Sequence, residues 1–257
     1  MKKFQMSFVH MYPLNLLERE GLGLTYEHFV KWRLLQRFFS KTFIPKSILV
    51  AGLSQKYGFN VDFLMLAHFL QAKIYFLDER GQKLKKLNQA IRKVKKKGYT
   101  FKQNQIQLIK VEDLIKHKFD KTIDLLINCE VLQQYNKAKR INFMENFLPI
   151  CQIAAFFAPN KKNKAHLLIS KLPALTVNQL KDSVKRDNFE IFSTGFIDAP
   201  PFPPGIKRTN EQRGKLQNSL FGKTMMLFLT LWAFLEKILP KPFLKKKAHL
   251  VYLLLRK

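Results

Sequence analysis

Small polar and acidic residues close four apolar runs of this chain, and their types suit the binding of a nucleoside. Ile48-Leu49-Val50-Ala51 ends in Gly52-Leu53-Ser54, and the run from Ile74 to Leu77 ends in Asp78-Glu79. A third run ends in Glu112-Asp113, and Ile123 to Ile127 ends in Asn128-Cys129-Glu130. In an open α/β sheet, ligands bind beyond the carboxyl ends of the strands. An acid about 26 residues after a strand-ending glycine accepts hydrogen bonds from both hydroxyls of a ribose, which is the role open to Asp78. Its competing role is the N-cap of the lysine-rich helix that follows. Asp113 has two roles open as well, holding an adenine amino group or capping an exposed turn. Asp198, in the proline-stiffened stretch FIDAPPFPPGIKR (196–208), suits either a substrate amine or hydroxyl or a local turn. Glu130, His166, Asp198 and the region of His28 are the candidates for a general base. No signature selects a catalytic residue among them, and Cys129 and Cys151 fit neither a metal site nor a disulfide framework.

These residues need a sheet to gather them. Residues 14–43 read as a helix after their glycines, with Thr25 as cap and Phe29, Trp32, Leu35 and Phe39 on one face, stopped by Pro45. Strands are expected at 47–52, 73–79, 104–114, around 123–127, at 164–172, from Glu190, and at 248–256. Helices are expected from Asn60 or Asp62, over 80–99 with Leu84, Leu87, Ile91 and Val94 as its stripe and Gly98 as C-cap, over 137–151, after Thr176, and over 219–240. The alternation predicts an α/β fold: a Rossmann-like, seven-stranded, mostly parallel sheet flanked by helices, with the last strand antiparallel. The expected organisation is a single unit over 1–257. It comprises a helical N-terminal extension (1–44), a core (45–200), a proline-rich loop with an apolar helix (201–247) and a terminal strand (248–257).

Charge bounds the partners. The 257 residues carry a net charge of +28, and 36 of the 46 basic residues are lysine. That balance suits nucleic acid or an anionic membrane face. A compositional bias toward lysine on a solvated surface accounts for it equally. The longest uncharged apolar run, TMMLFLTLWAFL (224–235), falls short of the ~20 residues that span a bilayer. The start of the chain does not read as a signal peptide, and cysteine usage suits a reducing, cytoplasmic setting.

The order of parts resembles the class I S-adenosylmethionine-dependent methyltransferases, over roughly 45–200 plus the terminal strand. TIDLLINCEVLQQY resembles the family's fourth motif, with Asp124 starting the strand. KVEDL resembles the adenine-contacting turn, and YFLDE the ribose-binding strand end. The first, glycine-rich motif departs from the pattern: its positions read Val50, Gly52, Ser54 and Lys56, with Gly58 one turn late. The resemblance implies S-adenosyl-L-methionine as cofactor, held by Gly52, Ser54, Asp78, Asp113 and Asn128, with Glu130 and Asp198 toward the substrate. It implies methyl transfer to a small-molecule or lipid-like acceptor. Three alternatives stay open: a catalytically degenerate member binding RNA or a partner protein, an RNA methyltransferase, and a protein peripheral to the membrane through 219–247. For that apolar segment a core or lid helix and a homodimer contact are further options.

Overall fold

The computed structural model describes residues 7–18, 20–39, 43–54, 60–184, 189–202 and 209–257. Helices α1 (Phe8–Asn15) and α2 (Leu22–Gln36) lead into strand β1 (Ser47–Ala51). Then follow α3 (Val61–Leu70), β2 (Lys73–Asp78), α4 (Gly81–Lys96), β3 (Ile106–Lys110) and β4 (Ile123–Cys129). The chain continues through α5 (Lys137–Phe147), β5 (Cys151–Pro159), α6 (Lys164–Ser170), α7 (Val177–Lys181) and β6 (Glu190–Ile197). It ends with α8 (Asn210–Asn218), α9 (Leu220–Leu235), α10 (Lys241–Lys247) and β7 (Leu250–Arg256).

Among the described residues the strands form one seven-stranded sheet in the order β3-β2-β1-β4-β5-β7-β6. β1 pairs in parallel with both β2 and β4, so strand order reverses between β1 and β4. β7 runs antiparallel to β5 and to β6. The expected Rossmann-like class is therefore the observed one. Asp124 sets the register at the switch point. Its Oδ2 accepts the Lys46 and Ser47 amides at 2.7 and 3.0 Å, and Ser47 Oγ accepts the Asp124 amide at 2.9 Å.

The pleat sends Ile48 and Val50 to one face and Leu49 and Ala51 to the other, so the sheet carries a core on each side. On the first face lie α1 to α4 and α9; on the second lie α5 and α7.

Three expectations need correction. The fifth strand is Cys151–Pro159, and 164–172 holds α6 instead. CQIAAFFAP is apolar almost throughout because both its faces are covered, so it lacks the alternation that marks a strand. KAHLLIS is helical because Asn163 caps it, its side chain accepting the His166 amide at 3.0 Å. Thr25 is not a cap: Gly21 holds that position, and Thr25 Oγ1 donates to the Gly21 carbonyl from inside α2. Thr176 does cap its helix, in a reciprocal box with Gln179.

One carboxylate ties the late helices to the sheet. Glu236, in the 3₁₀ turn after α9, accepts the amides of Asp198 (2.9 Å) and Ala199 (3.1 Å) and the hydroxyl of Tyr26. It thus joins α9, the end of β6 and α2. Glu236→Ala leaves both buried amides without an acceptor, so urea unfolding is expected to show a loss of roughly 2–6 kcal/mol. Glu236→Gln, which keeps one acceptor oxygen, is expected to lose clearly less; equal losses would contradict this role.

Candidate functional site

The strand ends deliver the sequence-selected residues to one edge of the sheet, where Ser54 meets Glu130, Asp78 meets Arg80 and Asp198 meets His249. Gly52 follows β1 with φ +86, a backbone conformation open to glycine. A Cβ added there meets Val131 at 2.8 Å and Leu114 at 3.0 Å, so these two side chains lie against its open face. Asn128 donates to the Ala51 carbonyl at 2.6 Å, while its Oδ1 is buried and meets no donor. Ser54 and Glu130, expected on different ligands, bond to one another: Ser54 Oγ donates to Glu130 Oε2 at 2.6 Å. Lys56 and Gly58 lie outside the described residues.

Asp78 is 2% exposed and fully engaged. Its Oδ2 accepts the Leu53 amide at 2.7 Å and Arg80 Nη2 at 2.7 Å; its Oδ1 accepts the Arg80 amide at 2.7 Å and Nε at 2.8 Å. Arg80 itself stands at the N-cap of α4 with no side-chain cap, so the capping alternative for Asp78 reduces to its bond to the Arg80 amide. Asp113 stays further out. Its Oδ1 accepts the amides of Ile115 and Lys116, closing the turn after β3. Its Oδ2 lies 3.9 Å from Lys116 Nζ, and the side chain is 41% exposed.

Helix α2 reaches the end of β4, and it brings a buried cation. Lys31 Nζ sits 3.0 Å from Asp62 Oδ2, 2.8 Å from Glu27 Oε1 and 3.5 Å from Cys129 Sγ. Burial opposes its charge, but the carboxylates of Asp62 and Glu27 outweigh that and hold its pKa well above the usual lysine value. His28 is held neutral, its pKa lowered to about 4 by burial. Its Nδ1 lies 2.9 Å from Asn15 Oδ1. Burial pushes the Cys129 thiol far up, so it supplies no thiolate. Among the described residues no cluster of His, Cys, Asp and Glu suits a metal ion.

Glu27 also faces a cavity of about 330 Å³ between α1, α2, the α6 region and the segment after β6. Asp198 and His249 line it, His249 Nδ1 lying 3.0 Å from Asp198 Oδ2. The His166 ring packs edge-on against His249 at 4.3 Å, so the histidine selected by sequence is a neighbour of the pair. The second carboxylate oxygen of Asp198 is buried without a donor. Burial lowers the basicity of His249, and the Asp198 carboxylate more than restores it, so its pKa stands above the usual value. Glu130 (φ +55) and Asp198 (φ +67) both hold left-handed backbone, uncommon for non-glycine residues and often tied to sites. These are the two residues the sequence reading placed toward substrate.

Lys31, Arg80 and His249 went unselected. The only local sign of Lys31 is its four-residue spacing from Glu27 within an apolar helix. Arg80 reads as one more basic residue of a basic helix, and His249 gains its meaning only when β7 lands beside β6.

A larger cavity, about 730 Å³, opens on the other side of α9. Arg33, Arg37, Lys162, Lys237, Lys241 and Lys245 line it.

No family model matches the sequence, and no curated protein matches it. Solved structures do resemble the fold. The plantazolicin methyltransferase BpumL in complex with SAH superposes with a TM-score of 0.55 at 14% identity, covering 96% of this chain and 89% of that one. Magnesium protoporphyrin IX methyltransferase (ChlM) from Synechocystis PCC 6803 with bound SAH gives 0.50 at 14%, over 99% and 89%. An S-adenosylmethionine-dependent methyltransferase from Mesorhizobium loti gives 0.51 at 12%, over 89% and 98%. At these identities the likeness establishes the fold.

Two measurements follow from the site. Glu130 is buried and its pKa is raised to about 7 from an ordinary 4.5, by burial first and Glu27 second. A raised carboxyl stabilises the fold fully below pH 4.5 and loses that contribution as the pH climbs through 7. Relative to wild type, Glu130→Gln is therefore expected to gain stability from pH 4.5 to 7, by up to about 1.4 kcal/mol per pH unit. Comparing the two proteins cancels His28, which pushes the other way. A pH-independent difference in urea midpoint would rule the buried carboxyl out. Second, NMR titration of His249 is expected above 6.5, and Asp198→Asn is expected to bring it down.

Proposed function

We propose that this protein is a methyltransferase using S-adenosyl-L-methionine and acting on a small molecule with an amine or hydroxyl on an apolar body. The observation that carries this reading is the pairing, on a methyltransferase fold, of a strand-end site with the Asp198–His249 cavity beside it. Glu27 links the two, contacting Lys31 above the strand ends while lining the cavity.

The residues present fit the cofactor in kind. Asn128 Oδ1 is a buried acceptor awaiting a donor, and Asp78 and Asp113 bring carboxylates to the ends of β2 and β3. Gly52, in left-handed backbone, lets the turn after β1 pass without a side chain. The bound cofactor would supply an electrophilic methyl group. In the cavity, Asp198 orients His249 and favours its charged form, so His249 Nε2 is the atom that takes the acceptor's proton. Because the His249 pKa is raised, turnover is expected to climb with pH through a value above 6.5. Glu20, Glu27 and Asp198 face the cavity against Arg213 and His249, alongside Leu22, Leu216 and Met225, so carboxylates outnumber cations there in a strongly basic chain. That lining favours acceptors with a protonatable nitrogen or a donor hydroxyl.

Calorimetry with S-adenosylhomocysteine tests the cofactor half. Binding is expected, and Arg80→Ala, which releases Asp78, is expected to tighten it several-fold. The absence of both heat and a thermal shift would overturn the reading.

A second reading has its own support: a catalytically degenerate relative that binds RNA. Arg80 occupies the oxygens of Asp78, Val131 and Leu114 lie against Gly52, and the larger cavity gathers six cations. On this reading single-stranded RNA binds with a log–log salt slope of roughly −4, about 0.7 per cation engaged. Salt-independent binding would sink it.

A further inference from the structure

Helix α9 is apolar on its outward face as well as on its inward one. Gly222, Met226, Leu229 and Ala233 point inward and pack, with Glu236 continuing their line. The opposite stripe stays bare: Leu220, Leu227, Phe228, Leu231, Phe234 and Ile238 fall on one side at helical spacing and are all exposed. Leu220 is 82% exposed and Ile238 77%. Phe243 of α10 extends the patch. Such a continuous apolar stripe, about 24 Å long over the 16 residues of α9, is not an ordinary protein surface.

Charge identifies what covers it. Residues 219–247 hold six lysines (223, 237, 241, 245, 246 and 247), all exposed, and one acid, Glu236, which is buried. The stripe is therefore bordered by cations with no exposed carboxylate to balance them. A second copy docked on the same face would bring twelve lysines together. A nucleic acid would meet the lysines but leave the leucines and phenylalanines in water. An anionic bilayer satisfies both, with the side chains of α9 in the acyl boundary and the lysines at the headgroups. Among the described residues no helix is long and apolar enough to cross a membrane, so the contact lies in the interfacial plane.

We propose that α9 and α10 form a docking surface for a membrane rich in anionic lipid. The proposal rests on this bare face and not on methyl transfer. The docked helix also walls both cavities, with Met225 on the smaller and Ala233 on the larger.

Flotation of the full chain with vesicles of phosphatidylcholine and phosphatidylglycerol, against phosphatidylcholine alone, tests this. The wild type is expected to float with the anionic vesicles and to remain behind with the neutral ones. Leu227→Glu/Leu231→Glu, on exposed positions, is expected to stay folded by circular dichroism and to lose flotation. Lys245→Gln/Lys246→Gln/Lys247→Gln is expected to weaken partitioning roughly 100-fold, at the strength expected of three headgroup-level lysines. Wild type that does not float, or a glutamate pair that floats as well as wild type, overturns the proposal. So does a wild-type dimer in sedimentation that the glutamate pair alone disrupts, which assigns the face to a second copy. RNA binding that matches wild type in the glutamate pair, with no flotation by either protein, assigns the lysines to nucleic acid.

Discussion

The enclosed ammonium of Lys31 constrains everything above the strand ends. Its side chain is 2% exposed, and Asp62 and Glu27 neutralise it at salt-bridge distance. Removing one partner from a buried pair typically costs about 3–5 kcal/mol, because the other charge is left uncompensated. A charge so held cannot slide, so α2 is pinned to α3 through Asp62 and to β4 through Cys129. With Lys31 fixed inward, Glu27 one turn earlier is fixed at the rim of the smaller cavity. The buried pair thus sets the distance between the strand-end site and the Asp198–His249 pair.

Glu236 does for the other wall what Lys31 does for the roof. Its two accepted amides belong to Asp198 and Ala199, so it holds the left-handed turn that presents the Asp198 carboxylate to His249. Tyr26 of α2 donates to the same carboxylate. The helix that anchors the roof and the turn that shapes the cavity therefore share one hydrogen-bond centre. Burial raises the Glu236 pKa to about 7, so this centre holds its proton through mildly acidic conditions.

The sheet was legible wherever an apolar run met a polar stop. β1, β2 and β4 were read within a few residues because Gly52, Asp78 and Asn128 mark their ends. β5 was hidden by its own burial: with both faces covered it shows no period, and Pro149 before it reads as the end of a helix. The site divides the same way. Asp78, Asn128, Glu130 and Asp198 stand out in the sequence as candidates because each ends or follows a strand. Their partners do not. Arg80, Lys31 and His249 act through contacts made 2, 98 and 51 residues away along the chain. No local pattern encodes which basic residue of a lysine-rich chain turns inward.

Those inward cations sharpen what distinguishes the methyltransferase from its degenerate counterpart. Lys31 is enclosed and paired on two sides, so it belongs to the framework in either case. Arg80 differs. Its side chain is 37% exposed, although the Asp78 side chain it holds is 3% exposed. Arg80 meets water on one side and supplies the charge that the buried Asp78 carboxylate needs on the other. Asp78 itself stays anchored by the Leu53 amide whether Arg80 is present or not. The acceptor position at the end of β2 is therefore tied to the backbone of the loop after β1, and Arg80 covers it.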